Sequence, residues 1–284
     1  MFPFAVIGLC LALYFRHWVP KHIVKTDHFK VYSTASVEDT EKTGELAELL
    51  YEKYTDVFGF KDKKIDYKMK LRLFKSRKEF RRVNGIYRWA EAMYYARRCN
   101  AYFDKTAENP YHWMIHEATH QLNNELAEYD IELWLNEGIA CYFSTSKIVE
   151  NKMHLGIIDE ETYPIWWFGS FKLTENLNND IKNKIIIPLR FIISDKGGPP
   201  RNKFFNQYYL HWWSIVHFLM EFEDGKHREG LKKLVLEGGT IEGFEKYIGK
   251  ISDIEKQWNK HLFAKIKYIE NYNGIRRDKK AVRN

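Results

Sequence analysis

The sequence predicts an α+β protein, with a small mixed sheet in its first half and a mainly helical second half. Three observations carry this. Short stretches of alternating apolar and polar residues interleave with helical patterns between His28 and Phe103. A helix with two histidines four positions apart follows directly. Beyond Phe205 the patterned stretches all have the helical period.

Taken in order, His28 to Ser33 (HFKVYS) alternates as a strand does. Ser36 or Asp39 then opens a helix running to about Phe58, with Leu46, Leu49, Leu50, Tyr54 and Val57 on its apolar stripe. Lys68 to Phe74 is a second strand, Met69, Leu71 and Leu73 facing one way. Ser76 to Arg82 suits a short helix, and Cys99 to Phe103 a third strand. Asn109 as cap and Pro110 in the first turn start the next helix, which carries Tyr111 to Leu122. From Lys147 to Lys203, Pro164, Trp166, Trp167, Pro188 and Gly197-Gly198-Pro199-Pro200 indicate a connector with short helices that shapes a specificity pocket. Helices are expected at Phe205–Glu223, His227–Glu237, Ile241–Ile248 and Ser252–Ile269. There is no internal repeat.

With 284 residues the chain can bury one large core or two modest ones. Its 16% aromatic and 29% charged residues exclude a disordered chain. Much of the net charge of +7 falls in Arg276–Arg283, a solvated tail by its pattern. No nucleic-acid-binding motif is present, so nucleic acid is not an expected partner; the charge supports only weak attraction to an anionic surface or acidic polymer. Phe2 to Phe15 is almost wholly apolar, long enough for the core of an export signal but short for a membrane span of about 20 residues. Arg16, Lys21 and Lys25 follow it, a charge order that would keep the folded part cytoplasmic if the segment spans. The chain is thus expected to be membrane-anchored or exported, with membrane association through residues 2–15. The domain reading is a leader over 1–20, a folded domain over 21–270 with a lobe boundary near 145, and a basic disordered tail over 271–284. Cys10, Cys99 and Cys141 are too few for a disulfide framework.

The chemistry concentrates in His116-Glu117-Ala118-Thr119-His120. Histidines at i and i+4 project from one helix face, so both rings can meet one metal ion. Glu117 beside them can take a proton from a water on that metal. Downstream, Leu133-Trp134-Leu135-Asn136-Glu137-Gly138 sets a carboxylate in an apolar run, where binding a metal would remove the cost of burying it. A carboxylate on an exposed helix start is the plainer reading of Glu137. Two imidazoles, one carboxylate and one open position make a catalytic zinc site.

HEATHQL followed by WLNEGxAxYF resembles the gluzincin metallopeptidases, more narrowly the peptidase MA-like group and the DUF1570-type proteins. The resemblance implies a two-lobe metallopeptidase fold, with Zn2+ on His116, His120 and Glu137 and with Glu117 as the base. It also implies that the last strand before the zinc helix is the sheet edge, so that a peptide or protein substrate would pair at Asn100 to Asp104. Tyr209, ahead of the helical run through Leu219, matches the family's tyrosine that hydrogen-bonds the oxyanion, with Tyr208 and His211 as neighbours able to do the same. Gluzincins commonly place an acid four residues after the ligand glutamate to orient a zinc-binding histidine. Here that residue is Cys141, either a packing cysteine or one approaching the metal, and Asp130 or Glu132 are the substitutes in reach of the sequence. The expected activity is zinc-dependent hydrolysis of internal peptide bonds. The alternative is a non-catalytic domain that keeps the fold as a binding or membrane-associated scaffold.

Overall fold

The computed structural model describes residues 18–85, 90–107, 109–127, 130–171, 173–174 and 176–281. The apolar leader lies outside the described residues. The chain forms two compact units: one holds the chain through Lys53 together with Lys63–Gln121, the other Tyr54–Asp62 and Leu122 onward. The division between the units falls within the chain at 53/54, 62/63 and 121/122.

In the first unit, strands β1 (His22–Lys25), β2 (Phe29–Ser33), β3 (Met69–Phe74), β4 (Ala92–Tyr95) and β5 (Arg98–Tyr102) form one mixed sheet in the order β1-β2-β3-β5-β4. β2, β3 and β5 run parallel; β1 and β4 pair antiparallel at the two edges. Parallel neighbours need crossovers, here supplied by α1 (Val37–Phe58) and α2 (Arg77–Val83). Ser36 caps α1 by accepting the Asp39 N–H, and Ser76 caps α2 by accepting the Glu79 N–H. One sheet face is dry: Phe29, Val31, Met69, Leu71, Leu73, Cys99 and Ala101 are fully buried, as is Leu50 of the α1 stripe. Leu49 and Val57, expected on that stripe, are only half-buried.

The edge expectation is corrected. β4 pairs with β5 from Arg98 to Ala101, so the strand ahead of the histidine helix is interior and the edge is Ala92–Tyr95. The β4–β5 turn is Ala96-Arg97, with φ of 50° and 57°. Such a two-residue turn favours Asn-Gly, and neither residue signals it.

In the second unit, α4 (Leu133–Ser144) packs on α7 (Phe205–Glu221). Between them lie the hairpin β6 (Ser146–Val149) and β7 (Lys152–Ile158), a 3-10 helix (Ile165–Ser170), α5 (Leu177–Lys182) and α6 (Leu189–Ser194). The hairpin was not foreseen; its turn, Glu150-Asn151 with φ of 48° and 59°, again lacks glycine. α8 (Arg228–Glu237), α9 (Ile241–Tyr247) and α10 (Ile251–Ala281) complete a mainly helical region. α10 runs well past Ile269, into the stretch expected to be a disordered tail. Between Ile269 and Ala281 there is no proline, and the weakest helix former is Gly274, at about 1 kcal/mol relative to alanine.

Candidate metal centre

The histidines stand on α3 (His112–Leu126), which begins where β5 ends. Asn109 accepts the Tyr111 N–H ahead of the helix, the capping role read from the sequence. Residues at i and i+4 share a helix face, and the geometry follows: His116 Nε2 and His120 Nε2 are 3.1 Å apart, with the rings edge to face. Two nitrogens each about 2.05 Å from one zinc at a tetrahedral angle would stand roughly 3.3 Å apart. The observed gap suits a shared cation.

β5 fixes the level of this helix. Cys99 is fully buried, and its single S–H is shared between the Glu117 carbonyl at 3.1 Å and Gln121 Oε1 at 3.2 Å. Burial pushes the thiol well above its ordinary pKa, with the Glu117 charge adding to the shift, so Cys99 keeps its proton and remains a donor. Gln121 Nε2 in turn donates to the Arg97 carbonyl. Glu117 itself is buried, as is His116. One turn earlier, burial holds His112 down to about 4, and its Nδ1 lies 3.0 Å from the Asn109 carbonyl. Sequence reasoning passed over Cys99 and Gln121, whose roles depend on the strand pairing.

Past Gln121 the same helix continues into the second unit, where its last turn meets the start of α4. Asn123 Nδ2 donates to Asn136 Oδ1 at 2.8 Å and to the Asn136 carbonyl at 3.3 Å, while Tyr54 donates its hydroxyl to Asn123 Oδ1 at 2.7 Å. Asn136 immediately precedes Glu137. α4 is held at both ends: at its start the Glu132 N–H donates to the Gly238 carbonyl and Trp134 Nε1 to the Gly239 carbonyl, and at its end Trp213 Nε1 donates to Thr145 Oγ1. Gly138 allows α7 to approach, because a Cβ there would stand 2.6 Å from the Trp212 carbonyl oxygen and from Val216 Cγ2. His116, His120 and Glu137 each offer a ligand atom, and these atoms lie within 4.8 Å of one another. Two imidazole nitrogens and a carboxylate oxygen are a donor set that zinc accepts.

The remaining expectations divide. Tyr209 is half-buried in an aromatic cluster, its ring centroid 4.6 Å from Phe205, 5.0 Å from Trp212 and 5.3 Å from Tyr163. Its neighbours Tyr208 and His211 are both engaged in hydrogen bonds. Tyr208 is buried and donates to the Pro199 carbonyl, and His211 has both nitrogens engaged, by the Ile187 N–H and the Gln207 carbonyl. Asp130 and Glu132 are exposed. Cys141 is fully buried on α4. A residue the sequence did not single out, Tyr163, lies within electrostatic reach of Cys141 and Glu137, and burial foremost raises its pKa. Its hydroxyl donates to Asn206 Oδ1 at 3.0 Å.

The fold and site thus define an α+β protein carrying a two-histidine, one-carboxylate cluster on consecutive helices. Residues 112–235, which include α3, α4 and the three cluster residues, match the family described as Protein of unknown function (DUF1570). No curated protein matches the chain.

Proposed function

We propose that the chain is a zinc-dependent peptidase of the gluzincin, peptidase MA-like kind, hydrolysing internal bonds of peptide or protein substrates. The His116–His120–Glu137 cluster, with the buried Glu117 in the same helical turn, carries this reading. A zinc ion held by these three side chains would lower the pKa of its water toward about 7 and polarise the scissile carbonyl. Glu117 accepts the proton of the attacking water and returns it to the leaving amine. Tyr209 donates its hydroxyl to the oxyanion. The Cys99 thiol on the Glu117 carbonyl and the Asn123–Asn136 bond hold the base and the carboxylate ligand at fixed helical levels.

The second reading, a scaffold that keeps the fold without catalysis, is favoured by Cys141, which stands where an orienting acid is usual. Glu117 speaks against it, since a scaffold has no need of a buried carboxylate beside two histidines. Among the described residues no helix is long and apolar enough to cross a membrane; the reading of a membrane-anchored or exported protein rests on Phe2–Phe15. Elemental analysis and cleavage of a mixed peptide library test the proposal together. The expected result is stoichiometric zinc in the native protein and in Glu117→Gln, with cleavage by the variant reduced about 100-fold or more. Undiminished turnover in Glu117→Gln would refute the assigned base, and a protein that takes up no zinc would refute the enzyme.

A further inference from the structure

The sheet face opposite the dry core carries a row of cations in cross-strand register. Lys25 stands opposite Lys30, Lys30 opposite Lys70, and Lys70 opposite Arg98, with Tyr95 completing the row on β4. Directly opposed like charges destabilise a sheet, and this row contains three such pairs in succession. None of the five strands contains an aspartate or glutamate. Among the described residues no carboxylate forms an ion pair with any of these four cations. In the next row Arg72 lies over the Trp18 ring, and both burial and the charge of Arg98 lower its pKa. Beside the row a cleft of about 430 Å³ opens between Tyr67, Lys70, Arg97 and Arg98.

We propose that this face docks on an anionic phospholipid surface, with the row from Lys25 to Arg98 against the headgroup phosphates. The charge of the row calls for a polyanion, and its surroundings select a bilayer. Ile23, two residues before Lys25 on the same face, is 53% exposed and Tyr95 59%, so apolar and aromatic side chains flank the cations. Tryptophan and tyrosine are enriched where membrane meets water. Trp18 packs beside Phe74 and Arg72, and the chain just before it is the apolar Phe2–Phe15 stretch. A nucleic acid would use the cations but has no use for the flanking apolar residues. Four cations across three strand spacings cover about 14 Å, an extended array suited to a surface.

The test is co-sedimentation of the full chain with vesicles of phosphatidylcholine alone and of phosphatidylcholine mixed with phosphatidylglycerol. The variants are Lys25→Gln/Lys30→Gln/Lys70→Gln and an equally charged control, Lys233→Gln/Lys256→Gln/Lys260→Gln, on α8 and α10. Each surface cation contributes about fivefold to binding an anionic membrane, so the sheet triple should bind the mixed vesicles roughly 100-fold more weakly. Its residual binding to phosphatidylcholine should be unchanged and the control should bind as the parent does. Thermal melting supplies an independent readout: removing opposed like charges should leave the sheet triple at least as stable as the parent. Four results would overturn the proposal: no preference for the mixed vesicles, equal losses in the two triples, a lower melting temperature in the sheet triple, or displacement from vesicles by duplex DNA at equal phosphate.

Discussion

Gly138→Ala tests whether close packing of two helices sets the position of Glu137. An alanine Cβ would stand 2.6 Å from the Trp212 carbonyl oxygen and 2.6 Å from Val216 Cγ2. Ordinary contact begins at 3.4 Å, so α4 and α7 must separate by about 0.8 Å, and one of the two obstacles is backbone that cannot rotate away. Overpacking of this kind costs about 1–3 kcal/mol, and the better helix propensity of alanine returns about 1. The net is a loss of up to about 2 kcal/mol, or up to roughly 8 °C in Tm for a chain of this size. Glu137 is the neighbouring residue, and metal ligands tolerate displacements of only about 0.5 Å. Zinc affinity should therefore fall along with stability. Gly243→Ala on α9 is the control, because a Cβ there meets Leu234 Cδ2 at 3.4 Å and Thr240 Oγ1 at 3.5 Å, which is ordinary contact. It should be neutral or stabilising by up to about 1 kcal/mol. Urea unfolding with and without added zinc reads both effects. A Gly138→Ala protein as stable as Gly243→Ala, with an unchanged increment from zinc, would sink the argument.

Asn123→Ala removes the acceptor of the buried Tyr54 hydroxyl and the donor to Asn136, and should cost about 1–3 kcal/mol in urea unfolding; a loss under about 0.5 would show that the link carries no strain-bearing role. His211 is fully buried and held down to about 4. Because its folded pKa lies below the unfolded value near 6.5, the folded state refuses a proton that the unfolded chain accepts. Stability is then fully present above about pH 6.5 and is lost as pH falls toward 4, by about 2 kcal/mol at pH 5 from this group. Urea titrations at pH 7.5 and 5 check the slope, which His211→Gln should flatten. Cys141→Asp introduces the acid usual in gluzincins but sets it at a fully buried site one turn from Glu137, so it should lower Tm without strengthening zinc binding; a tenfold gain in zinc affinity at unchanged Tm would show that an acid at 141 improves the site.

The parts of the fold legible in the sequence are those with a strong period and a visible boundary. α1 begins beside Ser36 and ends at Phe58 as its stripe predicts, and β3 alternates over Met69, Leu71 and Leu73. The parts missed depend on turns whose residues conceal them. Ala96-Arg97 and Glu150-Asn151 adopt positive φ without glycine, so the hairpins β4–β5 and β6–β7 left no local mark. β4 also covers the strand that the family resemblance made the sheet edge. β1, four half-exposed residues paired only at one side, is too short for alternation to register.

The candidate centre shows the same division at the level of side chains. The grouping of His116, His120 and Glu137 was legible because histidine spacing on a helix is a local property, and the run WLNEG marks the second helix. Their supports are not local. Cys99 reaches the Glu117 carbonyl only because β5 lies inside the sheet, and Asn136 receives Asn123 only because the chain returns between Leu126 and Leu133. Cys141 follows from packing in turn. The position is fully buried on the helix that Gly138 holds against α7, where a carboxylate would need a partner and a thiol does not. With Glu137 one turn away, an aspartate at 141 would also add a like charge to the ligand's own helix face. Tyr163 lies within electrostatic reach of both residues and already donates its hydroxyl to Asn206, so it would offer that carboxylate no ready donor. A buried thiol at 141 is the residue this packing favours, and the orientation of the histidines has to come from elsewhere in the structure.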